Sequence, residues 1–392
     1  MLPSMRRTVD LIYFNAGGGH RAAAQALQEV IHHQGRPWDI RLVDLFEILD
    51  RKGLFRKLTG AAPEAYYNQR LARGWTLGLA QELKLLQRLI RFFHPSLVTR
   101  LRQHWSEHPA PDLVVSLIPN FNRALYESVR AGLPGVPYAT VLTDLADFPP
   151  HFWIEPGQRQ HIVCGTPRAL AQARAAGYRD DQLSLTSGML LRPAFYGPPA
   201  GSRAEARRAL GLDPSRPTGI VMFGGQGSTQ MLRIAEDLRD RQLVFLCGHN
   251  QALAERLRAL RPGAAHAVVG FTQAVARHLQ VADYFIGKPG PGSLSEALQQ
   301  GLPVITVSGA GTMPQERYNA EWVKENGWGL VLPSLRCVAK AVAEMEARLP
   351  GFQARVKRFD NRAIFEVPEI FARLMDGAVV PARPADSWLL PA

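Results

Sequence analysis

The chain is short of cysteine, of long apolar runs and of acid. Its three cysteines, Cys164, Cys247 and Cys337, stand far apart. An odd number with no C-x-x-C pair argues against a disulfide framework and against structural zinc. A reducing, cytoplasmic setting is expected. Nowhere do about 18 apolar residues run together, so no membrane-crossing helix is expected. The opening residues MLPSMRRTVDLIYFNAGGGH end their apolar run in glycine rather than in a small-residue cleavage pattern. They read as a first strand, not a signal peptide. No self-similarity at a period of about 20–50 residues marks a repeat protein. Acids number 34 against 46 Lys and Arg, leaving +12 and a pI of about 10.0. Such a surplus points to an anionic partner: nucleic acid, an anionic membrane or phosphate-bearing substrates. Disorder is excluded by 46% hydrophobic and only 20% charged residues.

The surplus is concentrated. Residues 51–108 carry eleven Lys and Arg and three acids, a net +8 of the +12. Within them Leu79, Leu83, Leu86, Ile90 and Phe93 recur at helical spacing, with Lys84, Arg88 and Arg91 nearly opposite. Such a helix ordinarily packs its apolar face on its own core. Its basic side can also meet lipid headgroups, with Phe55, Trp75, Phe92, Phe93 and Trp105 as interfacial aromatics. Lys52, Arg56, Lys57, Arg88 and Arg91 are the candidate docking residues.

Strand and helix signals alternate along the chain. LIYFNA (11–16), IRLVDL (40–45), DLVVSLI (112–118), PYATVLTD (137–144) and HIVCG (161–165) read as strands in near-continuous apolar runs. Those are the mark of a buried parallel sheet. A Pro/Gly-rich stretch around 192–218 reads as a linker. A second series follows: GIVMFGG (219–225), QLVFLCG (242–248), AAHAVVGF (264–271), DYFIG (283–287) and LPVITVS (302–308). The expected fold is α/β, two doubly wound parallel-sheet domains with a cleft between them. The expected domains are 1–197 and 198–376, with the last helix returning to the first domain and 377–392 as a tail.

Five segments carry chemistry. Asn15-Ala16-Gly17-Gly18-Gly19-His20 follows a strand and opens a helix, where backbone N–H groups can approach an anion. It is neither G-x-G-x-x-G nor a Walker A loop. A histidine at such a turn can serve as a general base, or can simply cap the helix. Phe223-Gly224-Gly225-Gln226-Gly227-Ser228 suits a diphosphate, or a plain turn. Gly287-Lys288-Pro289-Gly290-Pro291-Gly292-Ser293-Leu294-Ser295-Glu296 leads a strand into a helix. Its first turn is read as holding Ser293, Ser295 and Glu296. Glu296 can be a capping acid or can take the hydroxyls of a ribose. Gln315, Glu316 and Asn319 cluster after a strand, where open α/β sheets bind ligands. Thr143-Asp144-Leu145-Ala146-Asp147 ends another strand. No D-x-D or persuasive ligand spacing suggests a catalytic metal.

Together these segments resemble the monogalactosyldiacylglycerol synthase-like glycosyltransferases of glycosyltransferase family 28. They are more distantly similar to the lipid-intermediate N-acetylglucosaminyltransferase of peptidoglycan synthesis. The carrying stretches are GGGHRAAAQAL (17–27), TDLADF (143–148), SGMLLRPAFY (187–196), FGGQGS (223–228), VFLCGHNQAL (244–253), VVGFTQAVARHLQVADYFIGKPGPGSLSEALQQGLPVI (268–305) and QERYNAEWV (315–323). They span roughly residues 8–375. After Thr143-Asp144-Leu145 the chain departs from plant-type synthases in ADFPPHFW.

The resemblance implies the GT-B fold, two facing Rossmann-like domains with an interdomain cleft. The first domain would hold a lipid acceptor and the second a nucleotide-sugar. It implies His20 as base, with Asp144 assisting, and Gly18, Gly19 and Asp147 on the acceptor side. Gly224, Gly225, Ser228, Gly290, Gly292 and Ser293 would lie near the donor diphosphate and Phe271 near its base. Glu296 would hold the ribose, and Gln315, Glu316 and Asn319 the sugar.

The implied activity is inverting, metal-independent transfer of a hexosyl unit from a UDP-sugar to a membrane lipid such as diacylglycerol. No cofactor and no metal are expected. The expected site of action is the cytoplasmic face of a membrane, held peripherally. Alternatives are N-acetylglucosaminyl transfer to another lipid-linked acceptor, a UDP-sugar 2-epimerase, or donor binding without catalysis. No nucleic-acid partner is expected, because no recognised module interleaves aromatics with the basic residues. The motifs do not separate galactose from glucose or N-acetylglucosamine.

Overall fold

The computed structural model describes residues 6–15, 18–50, 79–199, 201–260, 262–309 and 312–377, with side chains of the helix Leu79–Phe92 described from Leu83 onward. The chain divides into two compact units. One runs to Pro193 and resumes at Arg362; the other holds Ala194–Asn361.

The first unit carries a six-stranded sheet in the order β2-β1-β3-β4-β5-β6. Its strands are β1 (Arg7–Tyr13), β2 (Trp38–Asp44), β3 (Leu113–Ser116), β4 (Tyr138–Val141), β5 (His161–Cys164) and β6 (Leu183–Leu185). Every pairing is parallel. β3, β4 and β5 are buried along their whole length, as expected when helices cover both faces. β1 begins four residues before the apolar run read from sequence. It accommodates the buried Asp10 because Arg41 on β2 takes both carboxylate oxygens, at 2.5 and 2.9 Å. The helix Gly19–His33 buries Ala23, Ala24, Leu27, Val30 and Ile31. The helix Ala363–Met375 belongs to this unit and buries Ile364, Val367, Ile370 and Phe371.

The second unit carries β7 (Thr218–Met222), β8 (Gln242–Leu246), β9 (His266–Val269), β10 (Tyr284–Gly287), β11 (Val304–Val307) and β12 (Gly329–Leu332). The order β12-β11-β10-β7-β8-β9 is that of a dinucleotide-binding sheet. β6 and β12, both edge strands, have no counterpart in the sequence reading.

In each sheet the strand order reverses direction at one point: between β1 and β3, and between β7 and β10. Open α/β sheets bind ligands outside the carboxyl ends of the strands at such points. Residues 14–15 and 18, and 117–121, lie there in the first unit. In the second the loops are Phe223–Thr229 and Lys288–Gly290. Topology alone therefore selects the glycine-rich segments read from sequence.

One element departs from expectation. The helix Leu79–Phe92 meets its own unit along a narrow seam of half-buried Leu83, Gln87 and Ile90, continued by His94. Leu83 packs on the cluster that includes Leu142, Phe152 and Trp153. Leu86 and Phe93, expected to face inward, are 45% and 53% exposed, joining Leu85 at 56%, Leu89 at 46% and Phe92 at 77%. The open face is thus apolar and basic together, since Lys84, Arg88 and Arg91 are exposed beside these residues. Lys52, Arg56 and Lys57 lie outside the described residues. No helix among the described residues is long and apolar enough to cross a membrane.

Candidate functional site

In the first unit Gly18 takes a left-handed φ of 79° and starts the helix Gly19–His33 with no side-chain cap. Gly18 and Gly19 are exposed, so the helix N-terminus is open. His20, on the first turn, points back across the sheet. Its Nδ1 lies 2.8 Å from the carbonyl of Leu117 after β3 and 3.0 Å from Thr143 Oγ1 after β4. A carbonyl only accepts, so Nδ1 carries the proton and Nε2 is left with its lone pair. Phe14 stands edge-on to the imidazole at 4.8 Å, and Trp153 is 5.9 Å away. His20 is half-buried, yet these dense surroundings push its pKa down to about 4, against the pull of the Leu117 carbonyl. At neutral pH the ring is uncharged and able to take a proton.

Asp144, which follows Thr143 in the chain, is buried and accepts 2.8 Å from the indole N–H of Trp153. Asp147 has a different surrounding. Its carboxylate accepts from the backbone N–H of His151 at 3.0 Å and of Trp153 at 2.7 Å. Its own backbone is held by the amide of Gln172. Burial raises its pKa while those N–H groups oppose the rise. Asp147 thus shapes the loop that delivers Trp153. Asn15 donates 2.8 Å to Asp44, which also caps the helix Leu45–Leu49. Gly17 lies outside the described residues.

In the second unit the loop after β7 needs its glycines. Gly224 and Gly227 have φ of 77° and 60°. Gly248, at φ 57°, packs so closely that a Cβ there would sit 2.1 Å from the Gly225 carbonyl oxygen. The His249 N–H donates to that same oxygen at 2.9 Å. The loops after β7 and β8 are therefore interlocked. Ser228 Oγ is buried and accepts from the Gln230 N–H at 3.3 Å.

The loop after β10 leads to the helix Pro291–Gln299, whose N-cap Gly290 provides no side-chain cap. Gly292 is exposed and Ser293 half-buried at this open end. Because the helix begins at Pro291, Ser295 and Glu296 fall in its second turn, which corrects their assignment to the first. Asn319 is fully buried, and its amide donates 2.7 Å to the Pro289 carbonyl, fixing the loop from behind. Glu316 is buried and Gln315 half-buried.

Sequence reasoning missed Lys288. Its Nζ is 2.6 Å from Glu316 Oε1. A Cβ on Gly224 would lie 3.8 Å from Lys288 Cε, and one on Gly290 3.4 Å. One ammonium group therefore stands where both glycine turns converge. The available signal was a lysine directly after a strand and before a Gly/Pro loop. Thr143, too, passed unnoticed as a partner of His20. Phe271 is 58% exposed and stacks on His249 with ring centres 4.0 Å apart, an open flat aromatic surface. Among the described residues no three His, Cys, Asp or Glu gather to hold a metal ion.

Residues 220–349 match the glycosyltransferase family 28 C-terminal domain. Over 372 residues the chain is 27% identical to the probable monogalactosyldiacylglycerol synthase, chloroplastic, of Glycine max. The match covers 86% of this chain and 65% of that protein, so the chain spans just under two thirds of that relative's length. The resemblance read from the motifs is borne out. Among solved structures, MurG of Acinetobacter baumannii superposes with a TM-score of 0.58 at 11% identity, over 94% of this chain and 99% of that one. UGT89C1 of Arabidopsis thaliana, complexed with UDP, gives 0.58 at 15% identity, over 94% and 100%. The fold is that of these glycosyltransferases, the GT-B class of two Rossmann-like domains.

Proposed function

We propose that this protein is an inverting glycosyltransferase that moves a hexosyl unit from a UDP-sugar to the hydroxyl of a membrane lipid such as diacylglycerol. The observation that carries the reading is the fixed His20 imidazole, protonated at Nδ1 by its bond to the Leu117 carbonyl and free to accept at Nε2. The donor is supported by the UDP-bound relative of the same fold. The acceptor and the sugar to test first, diacylglycerol and galactose, are supported by the name of the soybean relative.

In this mechanism Nε2 of His20 takes the proton of the lipid hydroxyl as its oxygen attacks the anomeric carbon in line. The bond from that carbon to the UDP oxygen breaks, and the electron pair leaves with UDP. Charge growing on the diphosphate meets the open N-terminus of the helix Pro291–Gln299, the Gly224–Gly227 backbone and the Lys288 ammonium. Lys288 passes from Glu316 to the diphosphate, which frees the Glu316 carboxylate for sugar hydroxyls. Glu296 takes the ribose, and the His249–Phe271 surface stacks the uracil. The lowered pKa keeps the His20 imidazole neutral at pH 7, with its acceptor nitrogen unprotonated, at a cost in proton affinity.

The exposed apolar and basic face of the helix Leu79–Phe92 is proposed to rest on an anionic membrane. A fully buried Leu or Phe side chain contributes about 1.5–3 kcal/mol, and each basic group near anionic lipid about 1 kcal/mol. Three basic groups and five large apolar ones suffice for reversible, peripheral binding.

The test is a panel of UDP-galactose, UDP-glucose and UDP-N-acetylglucosamine offered with diacylglycerol vesicles, the lipid product identified by mass spectrometry. A glycosylated diacylglycerol from at least one donor is expected. No glycolipid with any donor refutes the reading.

A further inference from the structure

The lipid-facing helix is joined to the base by a hydrogen-bonded path that the mechanism above leaves unused. At the seam of the helix Leu79–Phe92, Gln87 Nε2 donates 3.1 Å to Asn120 Oδ1. Asn120 is held at φ 66°, a left-handed backbone that side-chain-bearing residues seldom adopt. Its N–H donates 2.6 Å to the Phe152 carbonyl. Asn120 lies three residues after Leu117, whose carbonyl fixes His20 Nδ1. A second path runs through packing. Leu83, one turn before Gln87, lies against the cluster of Phe152 and Trp153, and Trp153 holds Asp144. Both paths start on the same narrow seam. They end on the two residues read as the reacting acid–base groups. The opposite face of the helix is the exposed apolar one. Burial of that face in lipid would press or tilt the helix about its seam, and Gln87 is the polar contact there that reaches the loop after β3.

We propose that Gln87 and Asn120 are positioning residues through which seating of the helix Leu79–Phe92 on a lipid surface sets the Leu117 carbonyl, and with it the His20 imidazole. This rests on the transferase reading and adds that the enzyme responds to the surface as well as to its substrate. A sparse side-chain path is a claim about coupling and is judged by a double-mutant cycle.

The experiment compares transfer from UDP-galactose to two acceptors. One is diacylglycerol in phosphatidylcholine–phosphatidylglycerol vesicles; the other is short-chain diacylglycerol dissolved as monomer. The variants are Gln87→Ala, Asn120→Gly, which keeps the left-handed backbone but loses the acceptor, and their combination. The vesicle-to-monomer ratio of kcat is expected to fall about tenfold in each single variant, a usual size for coupling between sites. It should fall no further in the double variant, with UDP affinity unchanged. Equal losses on both acceptors, or losses that add in the double variant, would mean ordinary packing and overturn the proposal. A second readout needs no turnover. With ¹⁵N-histidine-labelled protein, adding the same vesicle lipids as bicelles should move the His20 ring-nitrogen shifts in the wild type but not in Gln87→Ala. No movement in the wild type overturns the linkage. If the wild type makes no glycolipid, the transferase reading falls while the ring-nitrogen comparison still decides the linkage.

Discussion

Acidification from pH 8 to 5 will destabilise the first unit through two histidines. Burial pushes both His20 and His161 down to about 4. His161 sits on β5, 7% exposed, with Nε2 2.8 Å from Ser184 Oγ. In the unfolded chain each titrates near 6.5. The folded pKa lies below the unfolded one, so the unfolded chain takes its proton first as pH falls. Stability is therefore intact above about pH 6.5 and lost between about 6.5 and 4. At pH 5 this amounts to roughly 2 kcal/mol per histidine, about 4 kcal/mol together.

The perturbation is His161→Gln, whose amide keeps a polar partner for Ser184 but cannot be protonated. The variant carries a constant packing penalty at pH 8. As pH falls, the gap between wild type and variant should close by about 2 kcal/mol, or roughly 4–8 °C of melting temperature. Calorimetry at a series of pH values reads that gap. The buried Asp10 and Asp147 and the half-buried Glu155 have raised pKa values and act in the opposite sense. They cancel in the difference between the two proteins. A gap that stays constant from pH 8 to 5 refutes the buried-neutral account. The acid limb of kcat/KM should meanwhile lie near pH 4 in both proteins, because His20 is untouched. A limb centred near 6.5 would show that the His20 ring is solvated.

Three further outcomes are expected. Lys288→Met should weaken UDP binding by roughly 10–100-fold, the size of one charge-assisted bond, while uridine binding scarcely changes; equal losses in titration calorimetry would remove Lys288 from the diphosphate. Neutralising Arg88 and Arg91 together as Gln should cut partition onto phosphatidylglycerol vesicles about 30-fold with UDP affinity retained, and unaltered sedimentation with vesicles would exclude that face as the docking surface. Gly248→Ala adds a Cβ 2.1 Å from the Gly225 oxygen at a left-handed φ, so the second unit should lose about 2–4 kcal/mol of stability. A melting temperature within a degree of wild type would contradict the interlocked loops.

The sheets were legible because parallel strands covered on both faces need unbroken apolar sequence, and segments such as Val114-Val115 and Ile162-Val163 supply it. β6 and β12 were not, being three- and four-residue edge strands with too little pattern to separate from loop. The start of β1 was hidden by Asp10, whose burial depends on Arg41, about thirty residues away, a pairing that one-dimensional pattern does not reveal. The glycine turns, His20 and Glu316 could be named from sequence because strand–glycine–helix order places them at strand ends. Thr143 and Asn120 could not, since each is defined by a partner on another strand's loop, and Lys288 offered only its place after a strand, its contact with Glu316 being non-local. The inward face of the helix Leu79–Phe92 was misjudged because leucines cover most of its circumference. Periodicity cannot tell which leucines meet protein and which are left open.

The first unit is discontinuous in the chain, and this governs the order in which the protein can be made. Its helix Ala363–Met375 brings Ile364, Val367 and Phe371 into the core and carries Glu366, which accepts from the Ser187 N–H at 2.7 Å. All of these follow Ala194–Asn361. At usual translation speeds, roughly ten to thirty seconds separate the emergence of Pro193 from that of the closing helix. At the end of that interval, once Asn361 has emerged, the second unit is complete in sequence while the first still lacks its closing helix. A nascent chain can thus complete its second unit just before the one with His20 is sealed, and a chain interrupted before Arg362 carries an unfinished first unit, a natural client for chaperones.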